Sequence, residues 1–71
     1  MTVHVNVKPL MRWLIYRNYT VRITERTATH VAGIITTPEG KLNFRYDPAA
    51  QVIYLPESTV AINEYGWEIE Q

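Results

Sequence analysis

The stretch RWLIYRNYTVRITER, Arg12 to Arg26, sets four arginines among Trp13, Tyr16 and Tyr19. Guanidinium groups grip phosphate oxygens and aromatic rings stack on bases, so this interleaving has the composition of a nucleic-acid surface. With Lys41 and Arg45 added, the candidate face for an anionic ligand is Arg12, Arg17, Arg22, Arg26, Lys41 and Arg45. The same stretch also reads as a helix running into a strand. On that reading Trp13 and Tyr19 belong to the core.

Other residues able to carry chemistry are few. Catalysis needs a nucleophile beside a base, a carboxylate pair, a metal cluster or a phosphate loop. The one serine, Ser58, stands in a turn sequence, and His4 and His30 lack the spacing of metal ligands. Glu64, Glu68 and Glu70 read as a solvated acidic face, and Gly33, Gly40 and Gly66 are too scattered to cradle a phosphate. The absence of cysteine removes disulfides and thiolate zinc sites together. The residues therefore point to a protein that is not an enzyme, with no catalytic group, cofactor or metal site.

Net charge is zero, but it is segregated. Residues 1–46 hold all seven bases against Glu25 and Glu39, and residues 47–71 hold five acids and no base. Basic character in the first part suits a polyanion. However, opposite charges on facing strands pair for roughly 0.2–1 kcal/mol each, so Glu68 and Glu70 are expected to screen the Arg22/Arg26 or Lys41/Arg45 rows.

These side chains need a scaffold, and 71 residues with 46% hydrophobic content make one compact domain, residues 1–71. Thr2 to Val7 alternates as a half-buried strand does. Pro9 opens a helix over Pro9–Arg17, with Leu10, Trp13 and Leu14 along its apolar stripe, and Asn18 suits the left-handed residue that ends one. Strands follow at Tyr19–Arg26, His30–Thr36, Lys41–Tyr46, Gln51–Leu55 and Thr59–Asn63. Tyr65, Trp67 and Ile69 alternate as a continuation or a seventh strand. Trp13, Phe44 and Trp67 are expected to share one core. The order predicts a mainly β, small α+β fold: a strand, one short helix, then an antiparallel meander forming a curved sheet or open barrel, with an SH3-like barrel as the alternative.

Two segments, Val31–Ile35 and Val52–Leu55, are apolar on both faces. A nine-residue helix, about 13 Å long, cannot cover a whole second layer. Ile34, Ile35, Ile53 and Leu55 are therefore the candidate self-association face. No apolar run approaches the roughly 20 residues that span a bilayer, and MTVHVNVK lacks the pattern of a secretion signal. The sequence thus suggests a cytoplasmic, non-membrane, non-enzymatic binding or regulatory module acting through protein–protein contacts, with a protein partner, a homo-oligomer or both. The alternative is a nucleic-acid-binding protein using the Arg/Lys face of residues 12–45.

Overall fold

The computed structural model describes residues 6–69. One helix, α1 (Lys8–Arg17), precedes five strands: β1 (Thr20–Arg26), β2 (Val31–Thr37), β3 (Gly40–Asp47), β4 (Val52–Tyr54) and β5 (Thr59–Ala61). The strands form one antiparallel meander in the order β1-β2-β3-β4-β5. No pairing returns from β5 to β1, so the sheet is open and is not a barrel. Of the strand expected at Thr2–Val7, residues 2–5 lie outside the described residues, and Asn6 and Val7 form no strand.

Local chemistry accounts for both ends of α1. Pro9 sits in its first turn, where a missing N–H costs nothing. At the other end Asn18 is left-handed, with φ 59° and ψ 37°. The Asn18 N–H donates to Ile15 O at 3.0 Å and the Tyr19 N–H to Leu14 O at 2.9 Å, the paired bonds of a Schellman ending. The Tyr19 ring then meets Trp13 edge-on, with centroids 5.8 Å apart.

The helix lays Leu10, Trp13 and Leu14 against Val31, Ile35, Phe44, Tyr46, Ile53 and Ile62 on one face of the sheet. Each fully buried aliphatic side chain here contributes roughly 1.5–3 kcal/mol relative to exposure. Register assigns the faces. Val31 pairs with Tyr46, Gly33 with Phe44, Ile35 with Leu42 and Tyr46 with Ile53, all toward the helix. Their neighbours Ala32, Ile34, Lys41, Asn43, Arg45, Val52 and Tyr54 point the other way. On that outer face Lys41, Asn43, Arg45 and Tyr54 are exposed, and Ala32, Ile34 and Val52 are half-buried.

Strict alternation along β1 fails at one place, where a bulge interrupts the register between Ile23 and Glu25. Arg22 pairs with Ile34 on the outer face, but Arg26 pairs with Val31 and so moves to the helix side. Opposite the bulge stands Gly33, where an added Cβ would lie 2.1 Å from the Arg22 carbonyl oxygen. The two strands approach this closely only because Gly33 has no side chain.

Candidate interaction surfaces

The tail after β5 builds the first surface. The Ile69 N–H donates to Ala61 O and the Asn63 N–H to Trp67 O, both at 2.9 Å, and Ile62 bridges to Glu68. The tail thus returns antiparallel to β5 as a single bridge, short of a full seventh strand. Asn63 organises the reversal: its Oδ1 accepts the N–H groups of Tyr65 at 2.9 Å and Trp67 at 3.0 Å. Gly66, at φ 84°, seats the turn on the helix. A Cβ there would meet Pro9 O at 2.6 Å and Arg12 Cβ at 2.8 Å.

That seating corrects two expectations. Trp13 and Phe44 are in the core, but Trp67 is 57% exposed and stacks on Tyr16, centroids 4.3 Å apart and planes 12° from parallel. The turn at Asn63 and Gly66 carries Trp67 onto the flank of the helix, away from the sheet face that period-two counting assigns to it. Glu68 faces neither the Arg22/Arg26 row nor the Lys41/Arg45 row. It pairs with Arg17 and accepts a hydrogen bond from Trp13 Nε1 at 3.1 Å. Glu70 lies outside the described residues.

Electrostatics follow from those contacts. The Arg17 guanidinium, then the Trp13 indole N–H, hold the Glu68 carboxyl below its ordinary range, against the smaller opposing effect of burial. Glu68 in turn raises Arg17. The Arg17 guanidinium also lies 5.9 Å from the centre of the Trp13 ring. Together Trp13, Tyr16, Arg17, Gly66, Trp67 and Glu68 line an open cleft of about 420 Å³. Beside it the outward stripe of α1 exposes Met11 and Ile15, the latter to 71%.

The six candidate cations separate. Arg12 and Arg17 sit on the helix, Arg17 paired with Glu68, and the bulge takes Arg26 to the helix side of β1. Arg22, Lys41 and Arg45 share the outer sheet face. The apolar set separates too. Ile35 and Ile53 are fully buried under the helix, Leu55 is half-buried at the core's rim, and Ile34 is half-buried on the outer face.

One feature escaped sequence reasoning, a string from Thr27 through His30 to Glu25. Thr27 Oγ1 lies 3.2 Å from His30 Nδ1, and His30 Nε2 lies 3.1 Å from Glu25 Oε2. This outline of a hydroxyl nucleophile with its base belongs to the β1–β2 turn itself. Thr27 Oγ1 already accepts the N–H groups of Thr29 at 3.2 Å and His30 at 3.1 Å, which ties it into the turn. Its signal in the sequence was the spacing of Thr27, Thr29 and His30, which suits a hydroxyl-capped turn. Among the described residues no group of three His, Asp or Glu side chains is placed to hold a metal ion, and no helix is long and apolar enough to cross a membrane.

In comparisons with known proteins, no family model, no curated protein and no solved structure matches this chain.

Proposed function

We propose that this protein is a small non-enzymatic docking module that engages a partner protein through the outward side of α1 and the tail seated on it. The observation that carries the reading is the exposed stack of Trp67 on Tyr16, in a tail that Gly66 seats against Pro9 and Arg12 and that Glu68 ties to Trp13 and Arg17. Tryptophan, tyrosine and arginine dominate the energetics of protein interfaces. A ring pair already fixed in place loses little further freedom on binding. Exposed Ile15 and Met11 extend this aromatic ledge with apolar area.

Charge supplies the partner's chemistry. The helix carries Lys8, Arg12 and Arg17 and no acid, and Glu68 neutralises only Arg17. The partner that fits therefore offers an apolar anchor flanked by carboxylates, with the anchor against Trp67 and Ile15.

The test is selection of a random peptide display library on the wild-type protein, followed by binding of the enriched peptides to Trp67→Ala and Ile15→Asp variants. Enriched peptides should combine an apolar anchor with Asp or Glu, and each substitution should weaken them by tenfold or more, since truncating an interface anchor costs about 2 kcal/mol. Peptides indifferent to both substitutions would remove this surface from the reading. If the occupant is a second copy of the chain, sedimentation will instead show concentration-dependent self-association that Ile15→Asp abolishes.

A further inference from the structure

We propose that the outer face of the sheet is a second surface, independent of the helix side, and that it binds single-stranded nucleic acid. The register places Arg22, Lys41 and Arg45 there with Asn43, Ile34 and Tyr54. Although the whole chain is neutral, this face carries three cations against two carboxylates, Glu25 and Asp47. Arg22, Lys41 and Arg45 enter no ion pair among the described residues. Glu25, in register with Arg45 across Ala32, lies 3.1 Å from His30 Nε2. Asp47, two residues beyond Arg45 on β3, turns its carboxylate to the Ala49 and Ala50 N–H groups.

The spacing selects an extended polyanion. Lys41 and Arg45 are four residues apart on β3, about 14 Å at 3.4 Å per residue, and Arg22 is two strands from β3, about 10 Å. Cations spread this widely over a sheet face cannot converge on one phosphate group, but they can follow a backbone. Tyr54, a residue 44% exposed, stands directly across from Arg45, so a base can stack beside a neutralised phosphate. Asn43, between the two β3 cations, offers an amide to a base edge. The major groove of a duplex admits a helix or a two-stranded ribbon, and a sheet of five strands is too broad to enter it. Splayed single-stranded bases can lie across such a sheet.

Fluorescence anisotropy with a labelled short oligothymidylate tests this. Wild type should bind at about 50 mM salt and weaken steeply toward about 200 mM, as released counterions require. Replacing Lys41 and Arg45 together by Gln should lower the salt slope by about 1.4, roughly 0.7 for each phosphate contact on a single strand. Tyr54→Ala should weaken binding roughly fivefold or more at fixed salt. The helix-side variant Trp67→Ala should bind the oligonucleotide as wild type does, which keeps this result separate from the docking surface proposed above. All four side chains are exposed, and circular dichroism confirms that each variant is folded before it is titrated.

Three results would overturn the proposal. The first is no anisotropy change for wild type at the lower salt. The second is binding lost in Trp67→Ala but kept in the Lys41/Arg45 variant. The third is equal binding of polyglutamate that Tyr54→Ala does not alter, which would assign the face to acidic polypeptides.

Discussion

The indole N–H of Trp13, in the middle of α1, donates to the carboxylate of Glu68, 55 positions later, at 3.1 Å. This bond and the Arg17 ion pair join the tail to the helix and so hold the aromatic ledge in place. Because both contacts favour ionised Glu68, its folded pKa lies below that of the unfolded chain. Such a group contributes stability above its unfolded pKa and loses it as pH falls through the lower folded value. Acidification past the ordinary glutamate range should therefore release the tail before the core melts, because the pair is about half exposed and adds little to global stability. Tryptophan fluorescence followed against pH should record this step, and Glu68→Gln should remove it. Identical titrations in both proteins would place the acid-sensitive group elsewhere.

Gly66→Ala attacks the same ledge from below. The left-handed backbone there costs an L-residue roughly 1–2 kcal/mol, and the new methyl would meet the Pro9 carbonyl oxygen at 2.6 Å. A total loss of about 2–3 kcal/mol is expected. The near-ultraviolet circular dichroism of the stacked Tyr16 and Trp67 rings should fade with it. An unchanged spectrum would show that the turn has another way to seat itself.

Asn18 makes a cleaner contrast, because its side chain is exposed and its backbone conformation alone matters. Replacement by Gly should leave the melting temperature unchanged or raise it slightly, since glycine adopts the left-handed region freely. Replacement by Ala should lower stability by about 1 kcal/mol. For a domain of this size that shift is several degrees. Equal melting of the two variants would contradict the helix ending described above.

Gly33→Ala should destabilise the sheet itself. Its Cβ would overlap backbone, the Arg22 carbonyl, which cannot rotate away as a side chain can. Overpacking typically costs 1–3 kcal/mol and occasionally more. Hydrogen exchange should show β1 amides opening first, with the β2–β3 hairpin still protected. Uniform loss of protection across the sheet would mean that β1 does not separate from the rest.

The order of helix and meander could be read from the sequence because its signals are local. Pro9 and Asn18 each act on their own backbone, and the period of apolar residues is set within one element. The burial of Trp13 and Phe44 was readable for the same reason. What decided the surfaces was long-range. One extra residue in β1 turns every later side chain to the other face, and so Arg22 and Arg26 part company. That bulge depends on Gly33, on a different strand, letting the Arg22 carbonyl approach. Trp67 alternates as a core residue would, yet Gly66 fits against Pro9 and Arg12 and carries it onto Tyr16, 51 positions away in the chain. Periodicity records which residues prefer burial. Which groups share a face is set by register and close contact between distant segments, and these exist only once the sheet and helix have packed.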